Sequence, residues 1–111
     1  MSKYTFNDFQ KEASEFITYP REIGLSYTIH GLTGEAGEIA NKFKKILRDQ
    51  NGILLAHNRE EIAAELGDVM WYCAALAQEL GVTLEDVAKN NTEKLKGRKE
   101  RGTLQGSGDK R

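Results

Sequence analysis

The chain predicts an all-α fold, on three observations. Apolar residues recur at three- and four-residue intervals through most of its length, no convincing run alternates apolar and polar as a half-buried strand does, and the single proline, Pro20, leaves long stretches unbroken. The 111 residues suit one domain with one core. With 39% apolar and 30% charged residues, the chain carries much surface for its core, which points to reliance on a partner subunit.

The first helix opens at Thr5, an N-cap residue with Asp8 three positions on, and Phe6, Phe9, Ala13, Phe16 and Ile17 follow at helical spacing. Pro20 ends it, because the residue before a proline avoids the α region. A second helix spans about Ser26 to Arg48, with Leu25, Ile29, Leu32, Ala36, Ile39, Phe43, Ile46 and Leu47 as its apolar stripe and Lys44, Lys45 and Arg48 in its last turns, where cations suit the helix dipole. Gly31, Gly34 and Gly37 within it each cost about 1 kcal/mol relative to alanine, so close approach of another group is the expected reason for them. Asp49 to Gly52 is a turn and Ile53 to His57 a connection. The third helix takes Asn58 as its cap, with Glu61 at the third position, and Ile62, Leu66, Val69, Met70, Cys73, Leu76, Ala77 and Leu80 as its stripe; Gly81 closes it. Thr83 caps a fourth helix, with Glu85 and Asp86 in its first turn and an apolar face of Leu84, Val87, Ala88 and Leu95. Four helices with short links predict an antiparallel bundle over residues 1–101, followed by a flexible tail at 102–111.

The bulk properties narrow the function. A formal net charge of −1 gives no general attraction to nucleic-acid polymers or anionic membranes. No apolar stretch approaches the ~20 residues of a membrane span, and the first residues lack the apolar core of a signal peptide. The one cysteine, Cys73, sits in an apolar run and reads as a small buried hydrophobe, in keeping with a reducing cytoplasmic setting.

The chemistry is concentrated in acid pairs. The second helix carries Glu35-Ala36-Gly37-Glu38 and the third Glu65-Leu66-Gly67-Asp68. The i, i+3 spacing puts both acids of a pair on one helical face. Such pairs are common on solvated faces, but three features set these apart. Each abuts an apolar stripe, where a carboxylate is costly unless paired or metal-bound. Glu38 has Lys42 four residues on, whereas Glu35, Glu65 and Asp68 have Ile39, Val69 and Tyr72 there. A glycine, Gly37 or Gly67, lies inside each pair and permits close approach. Four facing carboxylates would form an all-oxygen site suited to Mg²⁺ or Mn²⁺. Iron is disfavoured, because neither His30 nor His57 stands three residues after one of these acids. Downstream, Asn91, Lys94 and Arg98 fall on one face of the fourth helix. They read either as a solvated cationic helix end or as a grip on phosphate oxygens.

These motifs resemble the MazG-type all-α nucleoside triphosphate pyrophosphohydrolases, over about Gly24 to Arg101. The family's E-x-x-E, E-x-x-D and N-x-x-K-L-x-x-R motifs are matched in order by Glu35 to Glu38, Glu65 to Asp68 and Asn91 to Arg98. The resemblance implies Mg²⁺ held by Glu35, Glu38, Glu65 and Asp68, Lys94 and Arg98 near the phosphates with Asn91 in support, and cleavage between the α- and β-phosphates. It also implies a homodimer or homotetramer in which two subunits complete the bundle. One position departs from the pattern: Gly34 stands where many members have an acid before the first glutamate. Glu38 is the preferred residue to orient the attacking water. Two alternatives are a related all-α pyrophosphohydrolase acting on dUTP or phosphoribosyl-ATP, and a non-catalytic nucleotide-sensing or dimerisation module. No base-reading motif is evident; Tyr27, Trp71 and Tyr72 are candidates either for stacking on a base or for the core.

Overall fold

The computed structural model describes residues 3–111, and these hold four α-helices joined by short links, with no strand among the described residues. The helices are α1 (Phe6–Ser14), α2 (Gly24–Gln50), α3 (Ala56–Leu80) and α4 (Leu84–Arg101), with a 3₁₀ turn at Arg21–Ile23 leading into α2.

Local chemistry sets each boundary. Thr5 caps α1 reciprocally: its hydroxyl accepts from the Asp8 amide at 3.1 Å, and the Asp8 carboxylate accepts from the Thr5 amide at 3.0 Å. Helix α1 stops at Ser14, earlier than the apolar spacing predicts. The following amides of Glu15, Phe16 and Ile17 bond carbonyls three residues back, a tightening final turn, and Phe16 is left 68% exposed. Helix α2 begins two residues earlier than expected, because the 3₁₀ turn feeds straight into Gly24. It ends on Asn51, whose left-handed backbone (φ 53°) returns amide bonds to Ile46. Helix α3 starts at Ala56, ahead of Asn58. Asn58 is not the cap. It lies buried in the first turn, with its side-chain oxygen accepting from the Leu55 amide at 3.0 Å and from Gln50 Nε2 at 2.7 Å, so it ties the start of α3 to the end of α2. Thr83 caps α4 as expected, accepting from the Asp86 amide at 3.1 Å.

Helices α2 and α3 form an antiparallel hairpin whose register can be read from side-chain neighbours: Gly24 lies against Glu79, Gly31 against Tyr72, and Gln50 against Asn58. Glu79 is accepted into the start of α2 because Gly24 has no Cβ; its carboxylate also receives the Tyr19 hydroxyl at 3.0 Å and Arg21 at 3.4 Å. Helix α1 lies across α3 and the start of α4. Trp71 Nε1 donates to the Ala13 carbonyl at 3.2 Å, and buried Gln10 bridges Val82 O (3.1 Å) and Leu84 N (2.7 Å).

Much of the apolar stripe read from the sequence has no partner within this chain. Leu25, Ile29, Ala36 and Leu47 recur on one face of α2 and are exposed, as are Leu66 and Met70 on α3. The fully buried hydrophobic residues are small or few: Ala13, Tyr19, Ile46, Ala74, Ala75 and Ala77. The radius of gyration is 17.0 Å, against about 13 Å for a compact chain of this length.

Candidate functional site

The hairpin register decides which acids meet. Placing Gly31 opposite Tyr72 brings Glu35, one turn further along α2, opposite Asp68, one turn back along α3. Glu65 lies one turn beyond Asp68 on the same face. One carboxylate oxygen from each of Glu35, Glu65 and Asp68 lies within 4.8 Å of the others. Glu35 and Glu65 are half-buried between the helices, and Asp68 is exposed at the rim. Three of the four acids singled out in the sequence are thus gathered by one chain. Glu38, on the turn of α2 after Glu35, is exposed and stands outside this group of three.

The electrostatics follow from like charges held together. Partial burial is the largest influence raising the Glu35 carboxyl above its ordinary range; the Asp68 and Glu65 carboxylates add to it, as does a hydrogen bond with Glu65. One cation approaches the group: Lys42 Nζ lies 3.8 Å from Glu65 Oε1. Helical spacing pairs Lys42 with Glu38, but the ion pair it forms crosses to α3 instead. A single ammonium beside three carboxylates leaves the cluster negative, and a further cation there would relieve it. The donors are all hard carboxylate oxygens from two helices, a set that could hold a divalent cation.

Beside the acids lies an aromatic cluster. The Tyr72 ring rests on Gly31, stands edge-on to Trp71 with centroids 5.0 Å apart, and faces Tyr27 at 6.4 Å; Tyr27 in turn stacks on Tyr19 at 4.8 Å. Tyr19 is buried, whereas Tyr27 remains 43% exposed. The close approach expected of the glycines is confined to Gly31 within this chain. A Cβ on Gly34, Gly37 or Gly67 would meet nothing within 4 Å.

The cationic motif lies elsewhere in the chain's contacts. Lys94 and Arg98, one turn apart on α4, both engage Asp109 of the C-terminal segment, at 2.8 Å and 3.3 Å. Among the described residues neither forms an ion pair with the acids of α2 or α3. Asn91 is exposed on the same helix.

The acidic hairpin and the N-x-x-K-L-x-x-R helix lie within a stretch of sequence that matches a known domain. The model of the MazG nucleotide pyrophosphohydrolase domain matches residues 24–103. The chain belongs to the MazG nucleotide pyrophosphohydrolase domain family. Its similarity to Gene 37 protein of Mycobacterium phage L5 is 53% identity over 109 residues, covering 93% of this chain and 96% of the relative. It is also similar to Uncharacterized protein YvdC of Bacillus subtilis (strain 168), at 38% identity over 79 residues, 67% of this chain and 74% of the relative. No solved structure gives a significant match. The MazG match takes in all three motifs and both helices of the acidic hairpin.

Three features of this MazG domain escape a reading of the sequence: the Gly31–Tyr72 contact, the crossing of Lys42 to Glu65, and the Asp109 carboxylate on Lys94 and Arg98. The first two follow from the hairpin register, which the short link between α2 and α3 would have constrained. Nothing in the sequence near Asp109 signals the third.

Proposed function

We propose that the chain is a divalent-metal-dependent nucleoside triphosphate pyrophosphohydrolase, cleaving between the α- and β-phosphates to give a nucleoside monophosphate and pyrophosphate. The observation that carries this reading is the convergence of Glu35, Glu65 and Asp68 within 4.8 Å in a MazG-family chain. These three would hold the metal, Mg²⁺ or Mn²⁺, and Glu38 stands on the next turn of α2. When bound, the metal supplies charge neutralisation for the polyphosphate as negative charge builds up in the transition state.

The chain's own residues do the rest. Glu38, exposed and outside the group of three, is free to accept a proton from water and orient it for attack. Lys94 and Arg98 offer an ammonium and a guanidinium to phosphate oxygens, and Asn91, on the same face of α4, supports them. Lys42, 3.8 Å from Glu65, offsets part of the cluster's negative charge. The half-exposed Tyr27, joined through Tyr72 to the acid cluster, is a candidate ring for a base to stack on.

A second copy of the chain, in a dimer or tetramer, is part of this proposal. A monomer of 12.5 kDa exposes about 6,200 Å², whereas this chain exposes 8280 Å². The excess, about 2,000 Å² per chain or about 4,000 Å² for a pair, falls in the range that obligate homodimers bury, and the exposed Leu25, Ile29, Leu66 and Met70 supply apolar surface for it.

Pyrophosphate release from a panel of nucleoside triphosphates with Mg²⁺ tests the reading. Turnover by the wild type and its loss in Glu38→Gln are the expected results. Ordinary turnover by Glu38→Gln would remove Glu38 from its role. Stabilisation by metal and nucleotide without release of pyrophosphate from any nucleotide would replace the enzyme reading with that of a nucleotide sensor.

A further inference from the structure

Past Gly102, whose left-handed backbone (φ 71°) ends α4, the chain turns back along the helix it has just left. The fold of this segment is stitched by arginines. Arg111 donates to the carbonyls of Thr103, Leu104 and Gly108 at 2.8, 2.9 and 2.7 Å, and Arg101 donates to the Arg111 carbonyl at 2.8 Å. The result is that one carboxylate, Asp109, bridges Lys94 and Arg98, at 2.8 and 3.3 Å. The guanidinium of Arg98 also donates to the Asp109 backbone carbonyl.

Two details mark this as an anion subsite with an imperfect occupant. Arg98 is only 6% exposed, on an otherwise solvated helix, yet its Nε is buried without a hydrogen-bond partner. A buried guanidinium donor left unpaired is costly. One carboxylate also brings a single negative charge to two cations. A phosphate group carries more charge and three acceptor oxygens, enough to serve Lys94, the terminal nitrogens of Arg98 and the Nε that Asp109 leaves unmet. The Asp109 side chain is itself 79% exposed, and the two cations are the partners of its carboxylate among the described residues. Their hydrogen bonds, Lys94's first, hold its carboxyl below the usual range.

We propose that Asp109 is an internal competitor for the phosphate subsite of Lys94 and Arg98, so that the C-terminal segment must leave these residues before a polyphosphate can bind. The inference rests on the reading of Lys94 and Arg98 as phosphate-binding. The docked segment lowers apparent affinity by the fraction of time it occupies the site.

The test titrates inorganic tripolyphosphate calorimetrically into the full chain and into Asp109→Asn, Lys94→Ala and the double variant. Asp109→Asn, an exposed change, is expected to bind about threefold to tenfold more tightly than wild type. Lys94→Ala is expected to bind more weakly, and adding Asp109→Asn to it should recover little. In wild type, tripolyphosphate should also speed tryptic cleavage after Arg101, as the segment is freed. Unchanged affinity in Asp109→Asn, with weakened binding in Lys94→Ala, would overturn the competitor and leave the phosphate subsite standing. Unchanged affinity in Lys94→Ala would overturn the subsite itself, and the competitor with it.

Discussion

The contact between Gly31 and Tyr72 sets the register that brings the acids together, and a single methyl group tests it. A Cβ built on Gly31 would lie 2.5 Å or less from three atoms of the Tyr72 ring. The ring would have to retreat by about 1.5 Å to reach ordinary contact distance. It has little room to do so, with Trp71 edge-on at 5.0 Å and Tyr27 at 6.4 Å. Overpacking of this kind costs about 1–3 kcal/mol, partly offset by the gain of about 1 kcal/mol for alanine over glycine in a helix. Gly34→Ala, one turn away, makes the same helix-propensity change where a Cβ meets nothing within 4 Å. The difference between the two variants therefore isolates the clash, about 1–3 kcal/mol, or roughly 4–15 °C in Tm for a domain of this size. Thermal unfolding followed by circular dichroism, without metal, measures it. Gly34→Ala should melt at or above the wild type, and Gly31→Ala well below Gly34→Ala. Equal melting temperatures for the two alanine variants would refute the packing of Tyr72 on Gly31 and the register built on it.

Two further predictions concern other parts of the fold. Burial, and then the hydrogen bond to Glu79, push the Tyr19 hydroxyl up to about 12, so the folded state favours its neutral form. That contribution is fully present below pH 10, the phenol's ordinary value, and is lost as pH rises from there toward about 12. The Tm of wild type should fall across that interval more steeply than that of Tyr19→Phe, and parallel pH profiles would contradict the assignment. Leu47, 58% exposed at the far end of the α2 stripe, tests the second copy. Sedimentation should show wild type as a dimer or tetramer and Leu47→Glu as a smaller or more weakly associated species, whereas a monomeric wild type would dismiss the apolar face as an interface.

The fold was largely legible because its signals are local. The Thr5 and Thr83 caps, Gly81 and the 3.6-residue stripes name all four helices without reference to their neighbours. The boundaries that shifted did so through tertiary contacts. Asn58 looks like a cap until Gln50 arrives from α2 to share its oxygen. Periodicity identified the apolar residues correctly but could not say which of them face the chain's own helices. Leu25, Ile29 and Leu66 belong to the stripe and yet remain uncovered. For the site, spacing singled out the acids and the cations as candidates. It could not show that Glu38 would stand apart from Glu35, Glu65 and Asp68, nor that Asp109 would lie on Lys94 and Arg98, because both depend on where separate segments come to rest.

The most direct test of the metal site is calorimetric titration of Mn²⁺ into the wild type, Glu65→Gln and Asp68→Asn, in the absence of nucleotide. Loss of a partner that merely supports a metal ligand already costs about 10- to 100-fold in affinity, so removal of a ligand should cost at least that. Saturable Mn²⁺ binding by the wild type and at least a tenfold weakening in each variant are expected, with the helical content of all three unchanged. Undiminished Mn²⁺ affinity in both folded variants would rule out Glu65 and Asp68 as ligands.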